Sequence, residues 1–180
     1  MKGIVFTEFL DLVEEKFGLV MVDTIIENAD LDSCGIYTSV GTYNFSEMLA
    51  LLTNLSAETN ISVDDLLEVY AEHFFGVIEV SYPGFLAQYE EPIEMLASIE
   101  NHIHVEVRKI YPDAELPTFT IESRTDTSLV MIYKSSRAMY SFGRGLMNKT
   151  FEHFNSSGTI LMEKLKDDGT KVKFSITKNE

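Results

Sequence analysis

Two groups of residues in this chain are of a type and spacing that could do chemistry: a pair of histidines and, further along, a short run of hydrogen-bond donors. His102 and His104 lie in a stretch that reads as one long helix, with Pro92 at its first turn and Tyr111 at its end, just before Pro112. At about 100° per residue the two imidazoles point roughly 160° apart. His104 shares its direction with Ile93, Ala97 and Tyr111 and flanks Leu96 and Val107, whereas His102 points the other way, toward Glu106. His104 is therefore expected at the edge of a buried stripe and His102 in solvent. A buried imidazole needs a partner for its polar nitrogens. A backbone carbonyl, a water or a metal would each serve, and a satisfied core histidine is the simplest of these outcomes. His73 and His153 sit on other helices without metal-ligand spacing and read as surface or edge residues.

The run of donors is Tyr133-Lys134-Ser135-Ser136-Arg137. Read as a strand, it places Tyr133, Ser135 and Arg137 on one face, about 7 Å apart in succession. Two hydroxyls and a guanidinium suit a ligand that carries a pair of carboxylates, because arginine grips a carboxylate with two parallel bonds. The competing reading is a solvated polar edge of a sheet. Elsewhere reactive chemistry is sparse. No G-x-S-x-G or metal-protease motif occurs. Cys34 is the only cysteine, which excludes internal disulfides, zinc ribbons and Cys-ligated iron–sulfur clusters within one chain. It reads as a buried thiol.

The elements that must position these groups follow from composition and periodicity. The 180 residues, 45% apolar and 24% charged, fit one domain able to bury about 70% of its unfolded surface and to close over a ligand. Fourteen Lys+Arg against 29 Asp+Glu give a net charge of −15 with no basic cluster, which argues against nucleic acid and anionic membranes as partners. No apolar run approaches a membrane span, and Glu8 and Asp11 come too early for a signal-peptide core, so a cytoplasmic protein is expected. Helical spacing runs from Phe6 to Gly18, over Val20–Glu27, over Ser46–Leu55, and from an N-cap at Ser62 to about Phe75. Short turns are expected over 76–89. After Pro117 the pattern alternates over Thr118–Ser123 and Ser128–Lys134, turns helical over Ala138–Phe154, and ends in a hairpin over Thr159–Leu165 and Lys171–Ile176. Helices first and an antiparallel sheet wrapped on a helix afterwards make an α+β fold.

His104 stands 13 residues before Pro117 and is followed by Tyr111-Pro112, and Tyr133, Ser135 and Arg137 come at a fixed distance beyond. In this combination the chain resembles the heme nitric oxide/oxygen binding family, H-NOX, which includes the sensor domain of soluble guanylate cyclase. The resemblance extends over essentially the whole chain, from Met1-Lys2-Gly3 onward, and the length fits a stand-alone bacterial member. It implies a single domain over 1–180, with a distal helical part (1–60) packed on a proximal helix and sheet part (61–180) and heme b (protoporphyrin IX iron) between them. It implies that His104 is the proximal iron ligand, that Tyr133, Ser135 and Arg137 bind the heme propionates, and that Pro117 presses on the porphyrin. Oxygen-binding members carry a distal tyrosine five residues after the motif arginine, a position held here by Phe142, which has no donor. Tyr140 matches a different family position. Val5, Phe9, Phe74 and Ile78 match other distal positions, all apolar. Such a pocket favours NO and CO over stable oxygen binding.

Two departures stand out. Ala71 replaces a glycine common near a pivot of the helical part, and a single cysteine cannot build the zinc-binding cluster of some bacterial relatives. The implied function is a gas sensor, not an enzyme. NO binding opposite His104 weakens the iron–imidazole bond and frees its helix, and the signal passes to a partner protein resembling a histidine kinase or a cyclic-di-GMP enzyme. Two alternatives are a heme enzyme such as a peroxidase, which wants a distal acid–base group that the apolar set does not offer, and a heme-free interaction module of the same fold.

Overall fold

The computed structural model describes residues 1–179. The chain divides into two compact units, Met1–Tyr70 and Ala71–Glu180.

The first unit is helical. α1 (Gly3–Phe17) stops where Gly18 takes φ +84°, and α2 (Leu19–Glu27) starts from the same glycine. α3 (Phe45–Thr59) begins where the Asn44 side chain accepts the Ser46 amide, and it ends on Asn60 in the left-handed conformation. The Ser62 hydroxyl accepts the Asp65 amide and caps α4 (Val63–Ser81), as the sequence anticipates. The unit's core is made by Phe6, Phe9, Ile25, Met48, Leu51 and Leu55. The loop between α2 and α3 is tied down by Ser33 and Tyr37, whose hydroxyls both donate to the buried carboxylate of Glu47. Cys34 in that loop is exposed at φ +54°, and this corrects the expectation of a buried thiol. A tight turn holds its backbone, so no neighbour closes over the sulfur.

In the second unit α4 runs on through Gly76 to Ser81, beyond the expected stop at Phe75. One helical glycine costs only about 1 kcal/mol, too little by itself to end a helix. α5 (Pro83–Leu86) follows. The long helix expected from Pro92 to Tyr111 is three pieces: α6 (Pro92–Ala97), a π-helical turn over Ile99–Ile103, and α7 (His104–Ile110). The break is at Ser98, whose carbonyl accepts from the amides of both His102 (2.8 Å) and Ile103 (3.3 Å). The ladder thereby slips by one residue, and the His104 amide bonds to the Ile99 carbonyl five residues back.

The sheet has β1 (Thr118–Arg124), β2 (Ser128–Lys134), β3 (Gly158–Lys164) and β4 (Lys171–Lys178), ordered β1-β2-β4-β3 and antiparallel throughout. α8 (Tyr140–His153) lies between β2 and β3 in the chain. One face of the sheet is the core. Leu129, Met131 and Tyr133 of β2 alternate inward beside Val172, Phe174 and Ile176 of β4, against Ile93 and Leu96 of α6 and Met147 and Phe151 of α8. The architecture is α+β, with helices and an antiparallel four-stranded sheet. Among the described residues no helix is long and apolar enough to cross a membrane.

Candidate functional site

The imidazole of His104 is the least satisfied polar group in the second unit. It opens α7 directly after the π-helical turn and is 8% exposed. Its Nδ1 is a buried side-chain nitrogen with no hydrogen-bond partner, the one such atom among the described residues. The nearest carboxylate oxygen, Glu100 Oε2, lies 3.4 Å away, close enough for electrostatic attraction but not aligned as a hydrogen bond. Burial pushes the His104 pKa below the ordinary imidazole value, Glu100 pulls it back up, and Arg108 pushes it down again. A buried neutral imidazole is the form that ligates a metal. The ring faces aromatic surface, with Phe119 of β1 at 6.0 Å between centroids and Tyr133 beyond it, 5.6 Å from Phe119. Among the described residues no group of three or more His, Cys, Asp and Glu side chains could hold a metal ion, so His104 stands alone as a donor.

Tyr133, Ser135 and Arg137 do come together, by a different route from the one expected. Only Tyr133 is in the strand, since β2 ends at Lys134. Ser135 and Arg137 lie in a turn in which the Ser135 hydroxyl accepts the Arg137 amide at 3.2 Å. The expected row of three alternating strand positions is thus replaced by convergence. The Ser135 side chain, the Met139 backbone and the positive charge of Arg137 all act on the Tyr133 hydroxyl. Burial raises the Tyr133 pKa, and these three neighbours oppose that rise. The Arg137 guanidinium is engaged twice by one residue. It donates to the Glu115 carbonyl at 2.8 Å and to the Glu115 carboxylate at 2.5 Å.

The remaining sequence-derived residues fall in both units. Pro117 directly precedes β1 and is half-buried. Phe142, at the start of α8, meets Phe74 of α4 at 5.8 Å between ring centroids, and Ile78 lies one turn further along α4. Val5 and Phe9 belong to the first unit, where the Val5 carbonyl accepts from the buried Tyr70 hydroxyl and the Phe9 ring packs edge-on against Tyr70. His102 corrects an expectation. It is half-buried, with Nδ1 2.7 Å from the Tyr89 hydroxyl, because the π-helical turn changes its angular position and brings it to the 88–89 segment. His153 pairs with Glu79 at 2.6 Å.

Two residues of the site were not found from sequence. Glu100 lies four residues before His104, a spacing that could have revealed it. Glu115 is an exposed acid in an irregular segment and carries no periodic signal.

These residues fit heme. A lone neutral imidazole on an aromatic face is of the kind that would hold a heme iron. A cluster of one guanidinium and two hydroxyls, at the end of β2 and in the turn after it, would suit a pair of propionate carboxylates.

Comparison with known proteins points the same way. The family described as Haem-NO-binding matches residues 2–162. The chain is 74% identical to an H-NOX protein from K. algicida solved in the Fe(II) unliganded state, over all of this chain and 97% of that one, with a TM-score of 0.99. It is 36% identical to the H-NOX of Shewanella woodyi solved with IWP-051 in the Fe(II)CO state, over 99% of this chain and 95% of that one, TM-score 0.83. An H-NOX protein from S. oneidensis in the Fe(II)NO state shares the fold at TM-score 0.90 with 21% identity, each chain fully covered. No curated protein matches the chain.

Proposed function

Because this chain belongs to the haem-NO-binding (H-NOX) family, a family of heme-binding gas-sensor domains, we propose that it senses NO, and binds CO, through a ferrous heme ligated by His104. Heme, when bound, would supply an iron that takes a diatomic gas. The observation that carries the proposal is the buried imidazole of His104, set beside the Phe119 ring with the Glu100 carboxylate on its Nδ1 side, which leaves Nε2 for a metal.

The chain's own residues divide the work. His104 holds the metal from one side. Tyr133, Ser135 and Arg137 hold two carboxylates, with Arg137 exchanging its Glu115 contacts for a propionate. Pro117 contributes a rigid ring at the start of β1. Phe142, Phe74 and Ile78 offer apolar surface without a donor, which disfavours a polarised oxygen ligand and leaves NO and CO unimpaired. Signalling then depends on whether His104 stays tethered. An imidazole held at the metal fixes the start of α7, and a released one lets α7 move relative to β1. A gas shifts that balance only by its differential affinity for the two arrangements. About 1–3 kcal/mol of coupling suffices for a switch that a partner protein reads.

The test is absorption spectroscopy of the protein reduced without air. The Soret band is expected to shift with NO and with CO, and to show no persistent oxy form in air. A stable oxy spectrum would overturn the ligand preference. Absence of a Soret band after heme addition would favour the heme-free interaction module.

A further inference from the structure

We propose that Glu100 is a positioning residue for the iron ligand, one that fixes the tautomer and orientation of His104 and ties it to β1. The inference rests on the reading of His104 as the axial ligand.

One carboxylate oxygen, Glu100 Oε2, stands at a junction. It accepts the Phe119 amide of β1 at 3.0 Å and lies 3.4 Å from His104 Nδ1. The other oxygen is 4.0 Å from the Arg108 guanidinium. No other group accepts from Nδ1. A small shift of the Glu100 carboxylate turns the 3.4 Å approach into a hydrogen bond. A cavity of about 240 Å³, bounded by Ile99, Phe119 and Met131, lies beside Glu100 and gives the carboxylate room for that adjustment. Donation from Nδ1–H to Glu100 keeps the proton on that nitrogen and leaves the Nε2 lone pair for the metal. A carboxylate in this place also raises the basicity of a ligating imidazole. Because the same oxygen holds the Phe119 amide, two residues after Pro117, Glu100 links the ligand's orientation to the first strand of the sheet.

The experiment is resonance Raman spectroscopy of the ferrous, unliganded heme protein, read at the iron–histidine stretch. Glu100→Gln, Glu100→Ala and Glu106→Gln are compared with the wild type. Glu106 is a carboxylate on the same helix that pairs with Lys109 instead. The stretch is expected to fall in Glu100→Gln and further in Glu100→Ala, and to stay in place in Glu106→Gln. Transfer of heme to apomyoglobin is expected to quicken roughly tenfold in Glu100→Ala. The glutamine keeps an acceptor for the Phe119 amide and so separates loss of charge from loss of fold. An iron–histidine stretch that is present in the wild type and unmoved in both Glu100 variants overturns the role of Glu100 alone. A wild type with no such stretch overturns the His104 ligation and this inference with it.

Discussion

His104 and Arg137 are the two strongest polar groups of the candidate site, and the protein treats them in opposite ways. The Nδ1 of His104 is buried and left without a hydrogen bond. Arg137 is satisfied twice by Glu115, a residue whose own side chain is 83% exposed. An unsatisfied buried nitrogen costs about 1–3 kcal/mol, whereas an ion pair with one exposed partner is worth about 0–1 kcal/mol. The first is a cost that a closer approach of Glu100, 3.4 Å away, relieves. The second is a latch that a carboxylate ligand can displace at little cost. On the proposed function, the His104 end would be completed by heme, and the Arg137 end would exchange Glu115 for a propionate.

The contrast can be broken first at the latched end. Arg137→Ala removes the only cation of the donor cluster, and charge-assisted bonds of about 1.5–3 kcal/mol predict roughly 10- to 100-fold faster heme loss to a heme acceptor. Phe142→Tyr adds a donor on the apolar side. An oxy complex that lasts roughly tenfold or more longer in air is expected, read from the decay of its Soret band. Glu115→Gln opens the latch without touching the arginine. Heme affinity is expected to rise by up to about fivefold, and the gain to shrink at high salt, as a surface pair's screening requires. The smallest effect concerns the far end of α7, where the Tyr82 and Tyr111 hydroxyls meet at 3.1 Å. Burial, with Tyr82 adding to it, lifts the Tyr111 pKa from 10.0 to about 12. The unfolded chain then releases this proton first, so stability should decline as pH rises from about 10 to 12 and level off above. Denaturant titrations at pH 9 and 11 should show a smaller loss for Tyr111→Phe.

Much of this was legible in the sequence, for reasons that differ by residue. His104 came out buried because the apolar stripe of Ile93, Leu96 and Ala97 survives the break in the helix. His102 did not come out in solvent, because a uniform angular step ignores the slip of the ladder at Ser98. Nothing in residues 98–104 marks a π-helical turn in advance, since its cause is a pair of amides sharing one carbonyl. The sheet was read almost to the residue, because β4 alternates over one core face and β2 does so up to Met131. Tyr133, Ser135 and Arg137 were grouped correctly on a wrong geometry. The strand ends before Ser135, and a turn brings Ser135 and Arg137 back beside Tyr133. Cys34 was misread because residue type predicts burial only on average, and a loop with positive φ at Cys34 and Gly35 overrides it. Glu115 was illegible, since a side chain in an irregular segment has no period to reveal its partner.

The most direct measurement is the absorption spectrum of the ferrous protein beside that of His104→Gly, each recorded with and without added imidazole. The wild type should show a histidine-ligated ferrous heme that is indifferent to imidazole. The variant should lose that coordination and regain it when imidazole fills the space left by the side chain. A variant spectrum identical to the wild type's in both conditions would mean that the iron takes its ligand from another residue, and that the orphaned nitrogen of His104 has a different purpose.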